Sequence, residues 1–352
     1  MEKIVECVPN FSEGRDPEVF KALSEAVSSV PDVLLLDVDP DPSYNRVVVT
    51  FVGSPDAVVE AAYRATKTAS EKIDMRKHKG GHPRFGAIDV CPFVPVKGLG
   101  TSECAELARQ YGSRVGELGL PVYLYESAAS TPGRKNLANV RSGEYEGLAE
   151  KITKPEWKPD YGPAEFVPRF GAVAAGARFF LVAYNINLSS GDPNKARIIS
   201  EAVRQMGGPQ RDEKGNPVKR NGKPVKKKGK LRMVKAMGVV VEPEDRDPFC
   251  QISMNLTNYL ITPPHVAFEE VRFEAEKLGI RVTGSEVVGL IPLEPLLMAA
   301  EYYYMDGGNR PENPSERELV DVACERLGLS DYNPFEPDVK IIERRIASAG
   351  WK

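Results

Sequence analysis

The chain has 352 residues, 41% of them apolar and 28% charged, with a formal net charge of −3. That length suits two units or one large domain, and the apolar share is enough for a real core. No apolar run approaches the roughly 20 residues a membrane span needs, and the near-balanced charge gives the whole chain no bias toward nucleic acid or membrane.

Taken in chain order, Met1-Glu2-Lys3-Ile4-Val5-Glu6-Cys7 reads as an early strand over 3–8 and not as a signal peptide. Asp16-Pro17 opens a helix to about 29, with Asp as N-cap and Pro at the first helical position. A strand is expected over 33–38, and Asp39-Pro40-Asp41-Pro42-Ser43 has the chemistry of a turn. A strand at 46–52, a helix from Pro55 to about 73, a strand at 88–95, a helix at about 102–117 and a strand at 121–125 follow. The second half repeats the order: a strand at 178–187, a helix at 193–206, strands at 231–242 and 249–258, a helix at 265–278 and a strand at 280–291. Helices at about 294–304 and 314–328 close the chain.

Each half therefore reads β-α-β-β-α-β with an appendix, the ferredoxin-like split βαβ order. The expected fold class is α+β, an α/β sandwich of two duplicated subdomains, 1–177 with its linker and 178–352 with a basic insertion at 211–230. A single doubly wound parallel sheet lacks support, because no G-x-G-x-x-G turn follows the first strand. Residues 153–172 are rich in Pro, Gly and aromatics, which suits a segment crossing between two sheets and lining a cleft.

Five cysteines at 7, 91, 104, 250 and 324 show no C-x-x-C pair, so reduced thiols and a cytoplasmic location are expected. Two of the three histidines lie in His78-Lys79-Gly80-Gly81-His82-Pro83-Arg84, a loop feeding an apolar run. Their H-x3-H spacing binds metal only on a helix, and Gly80, Gly81 and Pro83 argue against one, so no metal is expected. A structural loop histidine and a general acid/base near neutral pH are both open readings. Asp37, Asp39 and Asp41 either cap a turn or set a carboxylate beside His82. Asn10 and Arg15 follow the first strand, where they either connect and cap or face a cleft. Asn185, Asn187 and Asn255 interrupt apolar strands, so they either stitch the sheet or face a polar cleft. His265 reads as a surface or capping residue at a helix start. Residues 211–235 carry eleven Lys or Arg against two acids, with Asn221-Gly222 as a hairpin signal. That segment reads as an exposed basic insertion, with nucleic acid the less favoured partner.

The motifs Val5-Glu6-Cys7-Val8-Pro9-Asn10-Phe11-Ser12-Glu13-Gly14-Arg15, Asp39 through Arg46, Lys79-Gly80-Gly81-His82-Pro83-Arg84, Phe166-Val167-Pro168, Ala183 through Leu188 and Gly284 through Leu290 run nearly end to end. Together they resemble the formiminotransferase family, the amino-terminal part of bifunctional formiminotransferase–cyclodeaminase. The resemblance implies two α/β subdomains whose sheets face each other across a tunnel, in a homodimer. It implies transfer of a formimidoyl group from N-formimidoyl-L-glutamate to N5 of tetrahydrofolate, a co-substrate, in histidine breakdown. It puts the catalytic histidine on His82, with Asp39 as its partner. The folate-contacting loop falls on Pro163, Ala164, Glu165, Phe166, Val167, Pro168, Arg169, Phe170, Gly171 and Ala172, with a basic position at Arg232. The chain departs from that family in ending at 352, so a separate cyclodeaminase is expected to complete ammonia release, and in a longer basic insertion. His82 would take the N5 proton and return one to the leaving glutamate nitrogen. Asp39 would bind the amidinium or fix the His82 tautomer. Arg84, Arg169 and Arg232 are the expected cations for substrate carboxylates. A formyl group moved between 5-formyltetrahydrofolate and glutamate, and a non-enzymatic folate or nucleic-acid binder, are the alternative readings.

Overall fold

The computed structural model describes residues 3–81, 83–212, 216–244, 246–307 and 310–350. The chain divides into two units, Met1–Phe179 and Phe180–Lys352.

In the first unit, β1 (Ile4–Cys7) and β2 (Asn10–Phe11) lead into α1 (Pro17–Ser28). Asp16 caps α1 by accepting from the Glu18 amide, and Pro17 opens it, as its sequence indicates. The hairpin of β3 (Val33–Asp41) and β4 (Arg46–Gly53) is followed by α2 (Pro55–Lys72), β5 (Ile88–Lys97), α3 (Thr101–Glu117) and β6 (Val122–Glu126). Two short helices, α4 (Leu137–Val140) and α5 (Glu144–Lys151), precede β7 (Val173–Ala177). The strand order is β3-β4-β1/β2-β5-β7-β6, antiparallel as far as β5. The β5–β7 and β7–β6 pairs are parallel. The first four positions have the split βαβ order, and β6 and β7 extend it.

The turn expected at 39–43 lies later. Asp39, Pro40 and Asp41 belong to β3, and residues 42–45 make the turn. Asp41 is still the residue that shapes it, accepting from the Ser43 and Tyr44 amides and the Ser43 hydroxyl. Pro40 is tolerated because β3 is an edge strand.

One face of this sheet carries Val5, Cys7, Phe11, Val49, Phe51, Cys91 and Phe93 against the buried faces of α1, α2 and α3. On the opposite face a second cluster gathers Phe85, Val90, Tyr123, Tyr125, Ala174, Val140, Leu148 and Ile152. Residues 153–172 are thus no free crossing segment. They belong to the first unit, tied down by Tyr161 O to the Val122 amide, the Asp160 carboxylate to the Leu124 amide, and Phe170 O to the Ala87 amide. Arg134 also grips this segment, donating to Asp160 and to the Glu156 and Lys158 carbonyls. The Pro- and Gly-rich composition reflects tight turns against the sheet.

In the second unit, β8 (Val182–Leu188) and α6 (Pro193–Val203) precede the basic insertion. There β9 (Gly208–Pro209) pairs with β12 (Lys226–Lys227), and β10 (Lys219–Arg220) with β11 (Lys223–Pro224). Asn221 (φ 53°) and Gly222 (φ 75°) make the left-handed hairpin turn their sequence signals. Residues 213–215 of the insertion lie outside the described residues. Then come β13 (Val234–Val241), β14 (Phe249–Leu256), α7 (Pro264–Glu276) and β15 (Val282–Val288). The order β13-β14-β8-β15 is wholly antiparallel and repeats the core order of the first sheet. The helices α8 (Leu293–Gly307), α9 (Glu316–Leu327), α10 (Pro337–Lys340) and α11 (Ile342–Ser348) complete it. The two units are therefore duplicated ferredoxin-like folds.

Asn187 is a sheet stitch. Fully buried, it donates to Asp331 and accepts from Gln251, both at 2.8 Å. Asn185 and Asn255 lie on the same sheet face, the former half-buried and the latter exposed.

His265 is not a surface residue. It is 7% exposed and stacked on Tyr302 with centroids 4.7 Å apart. Its Nδ1 has no hydrogen-bond partner among the described residues. The helix start it occupies faces the core, so burial lowers its pKa to about 4. A folded-state pKa below the unfolded value near 6.5 means stability is complete above about 6.5 and lost as pH falls through the folded value. His265→Phe keeps the stacking and removes the unsatisfied nitrogen. It is expected to flatten the fall in Tm between about pH 6.5 and 4; an unchanged slope in scanning calorimetry would sink this account.

Candidate active site

The site is built around the β3–β4 turn. Asn45 sits there with φ 52°, a left-handed conformation that asparagine accepts more readily than most residues. Its Oδ1 accepts from the Gly14 amide at 2.8 Å, and its Nδ2 donates to the Lys79 carbonyl at 3.0 Å. Its own carbonyl accepts from His78 Nε2 at 2.8 Å. One buried side chain and one carbonyl thus join the loop after β2, the hairpin and the histidine loop. The contact is close enough that Gly14 and Gly80 have no room for a Cβ: one would stand 2.2 Å from Asp41 O and 2.3 Å from Tyr44 O.

The histidine loop is closed at its neck. Arg84 Nε donates to His78 Nδ1 at 3.1 Å, so the side chains at the two ends of the loop, which we call the histidine arch, are bonded to each other. This bond makes Nδ1 the acceptor, which assigns the proton to Nε2 and to its bond with the Asn45 carbonyl. Burial, and next the Arg84 charge, lower the His78 pKa below its ordinary value, while the Asn45 carbonyl works against them. His78 is therefore a neutral clasp. His82, the expected catalytic residue, lies outside the described residues.

Arg84 was expected to meet a substrate carboxylate. In the structure its guanidinium bonds Glu146, stands 3.6 Å from Glu144 and holds His78. Arg169, expected in the same role, donates to the carbonyls of Ser70 and Glu71 in the last turn of α2. A cation there completes carbonyls that have no partner within the helix. Both arginines serve the fold in this arrangement. Arg232 is exposed just before β13 in the second unit, where its carbonyl accepts from the Thr262 hydroxyl.

The expected folate segment runs beside the histidine loop. Gly86 and Gly171 form a bridge, Phe85 O accepts from the Ala172 amide, and Arg169 O accepts from the Met75 amide. Pro163, Ala164, Glu165, Phe166, Val167, Pro168 and Arg169 lie at or near the surface, whereas Phe170, Gly171 and Ala172 are buried anchors. Gly171 has φ 79°, and a Cβ there would stand 2.6 Å from Phe85 O. Phe166 packs on Tyr145, whose hydroxyl donates to Pro168 O.

Strand register puts two further expected residues on one face. Asp39 pairs with Val48, Val48 with Asn10, and Asn10 with Val90. Directly paired residues share a face. Asp39 is exposed on it and Asn10 half-buried, with its Nδ2 donating to Val8 O. Arg15 Nε donates to Pro42 O, so that residue pins the hairpin turn.

Three charged residues escaped the sequence reading. Asp89 is 2% exposed and bonds Arg141 through both oxygens while accepting from the Phe85 amide. Arg46, at the start of β4, acts on Arg141: burial, then the Arg46 charge, lowers the Arg141 pKa to about 10. The signal was an aspartate inside an apolar strand, Ile88-Asp89-Val90, which needs a buried cation partner. In the second unit a pocket of about 390 Å³ lies among Ser189, Ser190, Arg246, Phe249, Thr283 and Asp331; none of the expected site residues lines it.

Two family models match the chain. One, described as the formiminotransferase domain, N-terminal subdomain, covers residues 4–178, and the other, the formiminotransferase domain, covers 183–347. A formimidoyltransferase-cyclodeaminase of Mus musculus is 45% identical over 99% of this chain, which spans 61% of that relative's length. A glutamate formimidoyltransferase of Streptococcus pyogenes is 44% identical over 86% of this chain and 94% of its own. One from Thermoplasma acidophilum is 43% identical over 91% of this chain and 98% of its own. With two duplicated split βαβ units, family models matching 4–178 and 183–347, and relatives matched across most of its length, the chain belongs to the formiminotransferase family.

Proposed function

We propose that the chain transfers a formimidoyl group from N-formimidoyl-L-glutamate to N5 of tetrahydrofolate, releasing glutamate. Support comes from the two family matches and from the named microbial relatives. The observation that carries it structurally is the convergence of the histidine arch, residues 163–172 and the Asp39–Asn10 face within one unit.

His82 is the general acid/base. The amidine carbon is electrophilic when protonated, so attack by a neutral amine needs one proton removed, and departure of the glutamate nitrogen needs one returned. A single histidine performs both without net change. Asp39 holds the amidinium or the His82 imidazolium. The surface of Pro163 through Arg169, with Phe166 and Val167 half-buried, offers ring and apolar surface against which the faces of the co-substrate's rings pack. The exposed Arg232 attracts its acidic tail. A cytoplasmic homodimer and chemistry without a metal complete the reading. No helix among the described residues is long and apolar enough to cross a membrane.

His82→Ala should lower kcat by roughly 10²–10⁴-fold with a small change in KM. Free glutamate and 5-formimidoyltetrahydrofolate, quantified together, read this out. A kcat within a few-fold of wild type removes the role, and turnover only with 5-formyltetrahydrofolate plus glutamate moves the reaction to formyl transfer.

The clasp adds a second expectation. His78→Asn retains an acceptor for Arg84 but no titrating ring, whereas His78→Leu removes the acceptor. Loss of the neck bond misplaces the arch, and a displacement of about 1 Å costs on the order of 10² in rate. We expect His78→Leu to lose kcat while His78→Asn largely keeps it. The sign follows from the lowered folded pKa: in the folded protein the ring stays neutral through the ordinary histidine range, and the clasp weakens only at more acid pH, as His78 takes up a proton. His78→Asn should therefore lose less activity than wild type at pH below the ordinary histidine range. Identical pH profiles and kcat in all three proteins would discard the clasp.

A further inference from the structure

The first turn of α5 joins two stretches of the first unit. Gly143 (φ 87°) and Glu144 (φ 53°) open it in left-handed conformations. The Tyr145 amide then donates to the Arg84 carbonyl at 2.8 Å, Glu146 bonds the Arg84 guanidinium, and Glu144 stands 3.6 Å from it. An amide in a first helical turn has no acceptor within its own helix, and here the Arg84 carbonyl supplies one. The side chain of the same residue holds the segment before β7. Its hydroxyl donates to the Pro168 carbonyl at 2.6 Å, and its ring packs on Phe166 with centroids 5.4 Å apart. A Cβ added at Gly171 would stand 3.1 Å from that ring.

The segment has few other ties along its length. Among the described residues, 163–166 make no backbone–backbone hydrogen bond, and the Val167 carbonyl bonds only forward, to the Phe170 and Gly171 amides. Val167 rests on the core, and Arg169 fastens the far end to α2. A surface stretch with so few bonds opens readily on its own. Tyr145 meets it on either side of Val167, at Phe166 and at Pro168, and its side chain has only two torsions to order. Burial, then Asp74 and Glu146, raise the Tyr145 pKa, so the phenol stays protonated and remains a donor.

We infer that Tyr145 is a positioning residue, fixing residues 163–169 against the histidine loop through Arg84 before the co-substrate arrives. The ligand, a reduced folate, rests on the transfer reading above; the tether does not. A segment left to order itself on binding subtracts that ordering from the affinity. The loss therefore falls on the folate and spares the amino-acid donor.

The test uses the full chain, with 5-formyltetrahydrofolate as the binding probe. Tyr145→Phe keeps the ring and removes the hydroxyl. Hydrogen exchange in peptides spanning 163–171 should quicken about three- to tenfold, the span of one hydrogen bond. Affinity for 5-formyltetrahydrofolate, by calorimetry, should weaken by a like factor, and the tetrahydrofolate KM should rise with it. The donor KM and kcat should stay within about twofold. Tyr145→Leu loses the ring packing as well and should weaken the folate further; if it does not fold, Tyr145→Phe decides alone. Folate affinity equal to wild type in Tyr145→Phe overturns the positioning role. A donor KM raised as much as the folate KM overturns it too, as the mark of a general structural loss. Weaker folate with unchanged exchange makes Tyr145 a direct contact and likewise overturns it. Faster exchange in a chain whose wild type binds no folate keeps the tether and overturns the transfer reading; unchanged exchange there overturns both.

Discussion

The left-handed asparagine in the first hairpin is the constraint on which the site depends. Asn45 is 7% exposed, and its amide and carbonyl reach three separate stretches of backbone and side chain. A left-handed residue at this turn directs its carbonyl to His78 while its side chain spans Gly14 and Lys79. Glycine would keep the backbone conformation and lose the two side-chain bonds; a branched residue would lose both. The glycines at 14 and 80 follow from the same contact, since the strand ends approach more closely than a Cβ permits. The neutral histidine clasp, the loop it closes and the segment bridged to Gly86 are each positioned relative to that turn.

Around this turn, charge is handled by alternation. Asp89, Arg141, Glu144, Arg84 and Glu146 form a chain in which each arginine stands between acids. Such pairs are expensive to bury and strongly destabilising to break, so they define one arrangement of the loops better than they add stability. Arg46 lies at the end of this chain. Its charge acts on Asp41 across the hairpin and on Arg141.

Duplication produced two equivalent sheets that have been finished differently. In the first unit, residues 127–172 fold over the free face and build a second apolar cluster on Val90, Tyr123 and Ala174. In the second, the free face is amide-rich, and Asp331 and Asn333 reach Asn187 and Glu286 on it. The histidine loop belongs to the first unit, where residues 163–172 flank it through the Gly86–Gly171 bridge.

Local chemistry carries information wherever a signal acts on its own neighbours. The Asp16-Pro17 helix start, the Asn221-Gly222 hairpin and the repeated β-α-β-β-α-β order are of this kind, and all are present. So is the glycine-broken histidine loop. Three readings failed because the deciding contact is remote in sequence. Pro40 continues an edge strand, His265 is covered by Tyr302, and residues 153–172 are held by Val122, Leu124 and Ala87. The cations show the same limit. Arg84 and Arg169 look available from their own surroundings, and it takes Glu146 and the end of α2 to engage them. The amino-acid order by itself determined the duplicated fold, the family and the glycine-broken loop after α2, since these rest on periodicity, turn chemistry and motif. Tertiary structure decided which charged side chains are already paired, because pairing depends on groups tens of residues away that only folding brings within hydrogen-bond reach.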